Sequence, residues 1–241
     1  MQNKHSFEDF RKIMERLIAP PPEGCPWDSV QTHESLKRYL LEESYEVLEA
    51  IDNKDDDNLC EELGDVLLQV MFHSRLAEKE GRFSIDDVID CVSRKMINRH
   101  RHIFGEDTAK DADEVLTKWE DIKNQEKGYK SGIESIRNIP KALPPLMRSE
   151  KVLSKAAKFN YINNDPKECL EQLKNKVSEL EGKFENMCEN HPDFDEIGEI
   201  FLILNNFSRI FQINSGFSLT NATEKFINKI EYIENAFSSN E

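Results

Sequence analysis

The chain has 241 residues, a formal net charge of −15, 38% hydrophobic residues and 33% charged residues. This length allows a buried core and one or two domains, and the strong negative charge argues against a protein that wraps nucleic acid or coats an anionic membrane. Apolar runs stay well short of the roughly 20 residues of a membrane span, no signal peptide is recognisable, and the five cysteines form no CxxC pair. We therefore expect a cytoplasmic protein with reduced thiols.

Helical periodicity dominates the chain from its beginning, which predicts an all-α fold. The predicted helices cover, in order, about 6–18, 34–52 and 59–79, a segment from Ser84 to about His102, and a segment after Asp111 or Asp113. Ser84 and Asp87 have the spacing of a capping box, which marks the start of a helix. The connector NKDDDN separates the second and third of these helices, and prolines 20–22 and Gly81 mark helix ends.

The stretch KGYKSGIESIRNIPKALPP is rich in Gly, Pro and Ser and predicts a domain boundary. We expect a first domain at 1–128, a linker at 129–145 and a second domain at 146–241. The second half echoes the first in the same order: DEIGEIFLIL resembles EELGDVLLQV, GFSL resembles RFSI, and KFINK resembles KMINR. Two tandem helical bundles of the same kind are therefore predicted, the second shorter.

Carboxylates occupy an unexpected place in LLEESYEVLEA. Glu43 falls in the three-and-four-spaced stripe of Leu36, Leu40 and Val47, which is the pattern of a core-facing seam. A buried carboxylate needs a partner or a proton. Glu46 lies three residues after Glu43 and therefore on the same side of the helix.

Glu62 and Asp65 form a second pair, also three apart, on the next predicted helix. A short connector makes the two helices antiparallel, so the two pairs face each other at similar depth. Four converging carboxylates repel one another, and an all-oxygen set favours Mg2+, Mn2+ or Ca2+ over zinc. Because Mg2+ often shares its coordination with substrate phosphates, a phosphate-bearing substrate is indicated. The alternative is a solvated acidic face, and Gly64 in mid-helix is interpreted as a site of close packing.

A basic cluster, KMINRHRH, stands out in this acidic chain. It supplies Lys95 and Arg99, which are one helical turn apart, followed by Arg101. These cations suit phosphate oxygens, although compensation of a helix C-terminus explains them equally well. Trp119, four residues before Lys123, has the ring for stacking on a base or for packing in a core.

The segments GCPWDSVQTHESLKRYLLEESYEVLEAI, CEELGDVLLQVMFHSRLAEKEGRFSIDDV, RHRHIFG and KWEDIKNQEK closely resemble the MazG family of nucleoside triphosphate pyrophosphohydrolases. The resemblance implies an all-α, usually dimeric protein that hydrolyses nucleoside triphosphates to monophosphate and diphosphate with Mg2+, for which Mn2+ can substitute. It implies that Glu43, Glu46, Glu62 and Asp65 hold the metal, that Lys95, Arg99 and Lys123 contact the triphosphate, and that Trp119 lies near the nucleoside. Arg101 is added to the substrate-binding set from the basic cluster.

For the reaction itself, we expect Glu42 or one of the ligating glutamates, Glu43 included, to accept the proton of the attacking water. The second half departs from the pattern, because Leu180 and Lys183 fall where Glu43 and Glu46 would stand, and only Glu196 and Glu199 remain of the second pair. We expect a degenerate unit there that packs and supports dimerisation. Two other readings are a non-enzymatic helical regulator and an all-α pyrophosphatase with narrow specificity, such as a dUTPase or dCTPase.

Overall fold

The computed structural model describes residues 4–184 and 194–238. In these ranges the regular structure is helical and contains no strand, which confirms the all-α prediction. The chain divides into two compact units, Met1–Ile122 and Lys123–Glu241. Among the helices of the described ranges, none is both long and apolar enough to cross a membrane.

The first unit is built around a long helical hairpin. Its helices are α1 (Phe7–Leu17), α2 (His33–Asn53), α3 (Asp56–Lys79), α4 (Ile85–Arg99), α5 (Arg101–Phe104) and α6 (Ala112–Glu126), whose last residues belong to the second unit. α2 packs along α3, and α3 also contacts α1 and α4. The buried core of this unit consists of Met14, Ile18, Leu36, Met71, Phe72 and Ile85.

The connection between α2 and α3 is shorter than NKDDDN suggested. Only Lys54 and Asp55 lie outside the two helices, and Lys54 adopts a left-handed conformation with φ of 56°. The Asp55 side chain accepts a hydrogen bond from the backbone N–H of Asn58 at 3.1 Å, so α3 begins at Asp56 instead of about Leu59. The two-residue link forces α2 and α3 into the antiparallel arrangement that the carboxylate pairs require.

The capping signals were predicted more accurately than the helix ends. Ser84 and Asp87 form the expected capping box at the start of α4, and Asp111 caps α6 by accepting from the N–H of Glu114 at 2.9 Å. The expected continuation to about His102 of the helix that begins after Ser84 is wrong. α4 ends at Arg99, because His100 has φ of −112° and ψ of 51°, outside the helical region.

The second unit contains α7 (Gly132–Arg137), α8 (Pro145–Lys158), α9 (Pro166–Phe184), α10 (Phe194–Ile210) and α11 (Ser215–Ser238). α9 packs along α10, and α8 contacts α7, α10 and α11. Asn205 on α10 is buried and its amide donates to the carbonyl oxygen of Leu146 at 2.8 Å, which fastens α10 to the start of α8. The segment expected to be a linker thus contains the helix α7, whose Ser135 is also buried.

Candidate active site

Three carboxylates converge on the facing sides of α2 and α3. Oxygen atoms of Glu43, Glu62 and Asp65 all lie within 4.8 Å of one another. All three side chains are half-buried. The hairpin therefore brings together residues that are about 20 positions apart in the sequence, as the spacing of the two acidic pairs predicted.

Glu46 joins this group through its side chain. It hydrogen-bonds to Glu43 and to Glu62, and both contacts raise the pKa of the partner carboxyl. A hydrogen bond between two carboxyl groups needs a proton, so the cluster retains one where isolated acids would lose it. We call the three converging carboxylates Glu43, Glu62 and Asp65, together with the neighbouring Glu46, the α2–α3 carboxylate cluster.

The electrostatic consequence is largest at Glu43. Partial burial, followed by the hydrogen bond to Glu46 and the charges of Asp65, Glu46 and Glu62, raises the pKa of Glu43 to about 7. The pKa of Glu62 is raised as well, first by burial and then by the charges of Glu46 and Asp65. All the charged groups that raise the pKa of Glu43 are carboxylates. Such mutual repulsion is relieved by a proton or by a cation.

Two expectations about the surroundings of the cluster need correction. The stripe that contains Glu43 does not face the core along its whole length, because Leu36 is buried but Leu40 is 37% exposed. Gly64 is not a point of close packing either, since a Cβ atom at that position would meet no atom within 4 Å. The cluster thus lies where the core of the unit opens towards solvent.

The donor set fits a hard divalent cation. Its ligands are carboxylate oxygens from two helices, without His or Cys, and such sets suit Mg2+, Mn2+ or Ca2+ better than zinc. Partial exposure leaves room for water or phosphate oxygens as further ligands. Glu42, the other candidate for proton transfer, is exposed on α2 next to Glu43.

Of the basic and aromatic candidates, Arg99 on α4 and Trp119 on α6 contact each other. The Arg99 guanidinium lies over the Trp119 ring at 4.7 Å from its centroid, and Arg99 is only 9% exposed. Lys95 is exposed one turn earlier on α4, and Lys123 follows Trp119 by one turn on α6. Arg101 is exposed on α5 and donates to the side-chain oxygen of Asn98 at 3.3 Å. Arg99 and Trp119 therefore act as one stacked unit.

A second aromatic group, for which the helical periodicity predicts no role, lies beside the start of α2. Trp27 and Tyr39 meet edge to face, with ring centroids 5.9 Å apart and an angle of 74° between the rings. Arg38 places its guanidinium 4.5 Å from the centre of the Tyr39 ring. These residues line an open cleft of about 510 Å³. Only the segment CPWDSVQTH, which resembles a family motif, could have drawn attention to Trp27.

A histidine pair connects α2 to α3 at the other end of the hairpin from the Lys54 link. The Nδ1 atoms of His33 and His73 are 2.7 Å apart, the rings are stacked, and Arg82 lies 2.6 Å from Nε2 of His33. Burial, followed by the charge of His33, lowers the pKa of His73. The contact between the two rings joins the start of α2 to α3.

The second unit treats its acidic residues differently. Lys176 on α9 contacts Glu179 on the same helix and Glu199 on α10, each at 2.8 Å. These contacts raise the pKa of Lys176. Glu199 corresponds to Asp65 in the sequence echo, and Leu180, the residue aligned with Glu43, is half-buried on α9. Whereas carboxylates meet one another in the first hairpin, this hairpin has an ammonium group between two carboxylates.

Comparisons with known proteins agree with this geometry. Residues 31–104 match the model of the MazG nucleotide pyrophosphohydrolase domain. The chain is 40% identical over 229 residues to the nucleoside triphosphate pyrophosphohydrolase/pyrophosphatase MazG of Thermotoga maritima, covering 95% of this chain and 85% of that protein. It is 34% identical over 223 residues to the nucleoside triphosphate pyrophosphohydrolase of Escherichia coli K12, covering 92% of this chain and 84% of that protein. It is also 42% identical to the uncharacterized protein YabN of Bacillus subtilis, over 95% of this chain and 46% of that protein.

Proposed function

Because the chain belongs to the MazG family, we propose that it is a magnesium-dependent nucleoside triphosphate pyrophosphohydrolase, which converts a nucleoside triphosphate and water into a nucleoside monophosphate and diphosphate. The observation that carries this proposal is the α2–α3 carboxylate cluster, which lies within the matched residues 31–104. Two relatives that share at least 34% identity over more than nine-tenths of this chain are named for the same activity.

The cluster would hold the metal through Glu43, Glu46, Glu62 and Asp65. Carboxylate oxygens on two helices are the ligand type that Mg2+ prefers, and the raised pKa values of Glu43 and Glu62, caused by burial and by neighbouring carboxylates, support a site that favours a cation. When bound, Mg2+ supplies positive charge that neutralises triphosphate oxygens and favours the departure of diphosphate. Mn2+ has similar preferences and should substitute for it.

The residues of the chain contribute proton transfer and positioning. As water attacks the α-phosphorus, the bond to the diphosphate leaving group breaks and a carboxylate accepts the proton of the water. We assign that carboxylate to Glu43 or to the neighbouring Glu42. Lys95, Arg99, Arg101 and Lys123 offset negative charge on the phosphates, and Trp119 lies near the nucleoside as the partner of Arg99.

A panel of triphosphates tests the proposal directly. Purified protein should release diphosphate from several ribo- and deoxyribonucleoside triphosphates, lose this activity in excess EDTA and regain it when Mg2+ is added. Turnover of dUTP or dCTP alone would favour the narrow-specificity alternative. Absence of diphosphate release from the whole panel would favour a non-enzymatic regulator, and full turnover in excess chelator would exclude the metal role of the cluster.

We also propose that the protein is a homodimer. Leu41, Tyr45 and Leu48 follow one another at helical spacing on α2 and are 56%, 53% and 40% exposed. Leu63 on α3 is 53% exposed and extends the apolar surface. A stripe of this kind on a charged protein is typical of an interface, and a second copy is an occupant that supplies an equally apolar surface. Sedimentation analysis should give a dimer, and Leu48→Glu should give a monomer; a wild-type monomer would contradict the proposal.

For the second unit we propose a structural role. Its hairpin of α9 and α10 lacks the complete acidic set, and Lys176 already pairs with both Glu179 and Glu199. An ammonium group in that place leaves little reason for a divalent cation to bind. We therefore expect one metal-dependent site per chain, in the domain predicted at residues 1–128.

A further inference from the structure

We propose that the cleft lined by Trp27, Arg38 and Tyr39 is the subsite that receives the nucleobase of the triphosphate. This inference rests on the proposed function, because it adds a base-binding surface to a site whose phosphate chemistry lies at the α2–α3 carboxylate cluster. The cleft measures about 510 Å³, within the range of small-molecule sites. It lies wholly within the first unit.

The position of Tyr39 connects the cleft to the cluster. Tyr39 precedes Glu43 by four residues on α2, so the two side chains lie on the same side of the helix, about 6 Å apart along its axis. A ligand with its phosphates at Glu43 therefore has its next available surface one turn towards the start of α2. Tyr39 is also packed against the hydrophobic core, which holds its ring in place.

The shape of the cleft suits a flat heterocycle. The rings of Trp27 and Tyr39 stand at 74° to each other and form two walls of a corner. Trp27 is 50% exposed, so much of its indole surface is available to a ligand. One face of Tyr39 carries the Arg38 guanidinium, and Arg38 also donates to the Tyr39 hydroxyl, which fixes a planar cation beside the corner. A base that lies flat on one wall meets the edge of the other.

Trp119 offers a less open surface. The Arg99 guanidinium covers its ring at 4.7 Å, and Arg99 is itself buried. An aromatic face that already carries a cation gains less from a base than an exposed face does. The geometry thus favours Trp27 for the base and leaves Trp119, next to the phosphate-binding Arg99, near the sugar of the nucleoside.

Recognition by stacking has a consequence for specificity. Every base has a π-face, so stacking tolerates different bases, whereas hydrogen bonds to base edges discriminate between them. The side chain of Gln31 is engaged within the protein, donating to the carbonyl oxygen of Trp27 at 2.9 Å and accepting from the Ser35 hydroxyl at 2.6 Å. Glu34 and Lys37, which also line the cleft, pair with each other at 3.7 Å. We therefore expect similar affinities for purine and pyrimidine triphosphates.

The two tryptophans of the chain make a direct test available. In Trp119→Phe the remaining indole is Trp27, and in Trp27→Phe it is Trp119. Each variant is titrated with α,β-methylene-ATP and, separately, with inorganic tripolyphosphate, both with Mg2+. We expect the nucleotide to quench the fluorescence of Trp27 strongly and that of Trp119 weakly, and tripolyphosphate to leave Trp27 unchanged. Quenching of Trp119 alone, or equal quenching of Trp27 by tripolyphosphate, would overturn the proposal.

Kinetics provide a second readout. Trp27→Ala should raise the Ki of α,β-methylene-ATP about 5- to 150-fold, the range that corresponds to losing one stacked base, and leave the Ki of tripolyphosphate unchanged. Trp27→Phe should restore most of the affinity, and Phe7→Ala, which removes another exposed ring, should have no effect. An unchanged nucleotide Ki in Trp27→Ala would overturn the base subsite while hydrolysis persists. Failure of the wild-type protein to hydrolyse any triphosphate would instead contradict the proposed function.

Discussion

Replacing Glu43 by Gln should stabilise the metal-free protein and abolish most of its activity. The amide has almost the same size as the carboxyl group and can still hydrogen-bond to Glu46, but it carries no charge. In the fold, the pKa of Glu43 is raised to about 7 from an ordinary value of 4.5. The unfolded chain therefore releases this proton at lower pH than the folded chain does, and the folded state loses stability as pH rises from 4.5 through 7.

The size of the effect follows from that difference in pKa. Above pH 7 the full difference corresponds to about 3 kcal/mol of lost stability. Because water reaches the half-buried cluster and screens its charges, we expect Glu43→Gln to recover about 1–2 kcal/mol. For a chain of this size, that gain raises the melting temperature by about 3–6 °C. It should shrink as pH is lowered from 8 towards 4.5, because Glu43 is then protonated in the wild-type protein.

The assay compares the melting temperatures of wild type and Glu43→Gln in EDTA at pH 8 and at pH 5. It then compares the melting temperature and the turnover of the two proteins at pH 8 with Mg2+. With metal the order of stability should reverse, since the wild-type cluster binds the cation more tightly than the variant does. Turnover should fall by orders of magnitude. A Glu43→Gln protein that melts lower than wild type in EDTA at pH 8 would refute the claim of carboxylate repulsion.

Glu199→Gln is the matched control. It makes the same chemical change at the corresponding position of the second unit, where the carboxylate contacts Lys176 at 2.8 Å. Here the substitution removes an attraction instead of a repulsion, so stability should fall or hold, and turnover should stay near wild type. Equal loss of turnover in the two folded variants would show that the second unit takes part in catalysis.

Three further predictions concern other parts of the first unit. Arg99→Ala should raise the KM for triphosphates at least about tenfold by removing the guanidinium on Trp119, and unchanged kinetics would leave Arg99 as a cation that only compensates a helix terminus. His73 should act in the direction opposite to Glu43 below about pH 6.5, because its pKa is lowered in the fold and the unfolded chain takes up the proton first. Relative to wild type, His73→Gln should therefore gain stability when melting is measured at pH 5.5 instead of pH 7.5. Gly64→Ala should raise the free energy of unfolding, measured by chemical denaturation, by about 0.5–1 kcal/mol, since the added Cβ meets no atom within 4 Å. A lower free energy of unfolding in the variant would indicate that the partner copy approaches α3 at that point.

The sequence predicted the carboxylate cluster well because helical geometry determines most of it. Acids three apart share a side of a helix, and a short link makes adjacent helices antiparallel, so Glu43 and Asp65 had to face each other. The starts of helices were equally predictable from the sequence where a side chain caps the backbone, as Ser84 does. These features depend on neighbours in the sequence.

The remaining features depend on contacts between distant segments. The contact of Trp27 with Tyr39 requires the irregular segment before α2 to fold back on that helix, and no periodicity reports such a path. The stacking of Arg99 on Trp119 joins two helices separated by a break at His100 that the pattern did not show. The prediction for Gly64 was wrong because it assumed a contact that does not exist. Glycine is rare in the middle of helices, which suggested a close neighbour, but no atom of the described chain lies within 4 Å of a Cβ at this position.

The two hairpins of this chain show two solutions to the same electrostatic problem. In the α2–α3 hairpin, carboxylates from both helices meet without a positive group among the charges that act on Glu43, so Glu43 keeps its proton up to about pH 7. In the α9–α10 hairpin, Lys176 lies between Glu179 and Glu199 and supplies the positive charge from the chain itself. A covalently attached ammonium cannot dissociate, exchange with substrate or share its coordination with phosphate oxygens, whereas a divalent cation can do all three. A lysine in this position therefore stabilises the hairpin permanently but removes the means of catalysis, which is why we expect the activity to reside in the first unit alone.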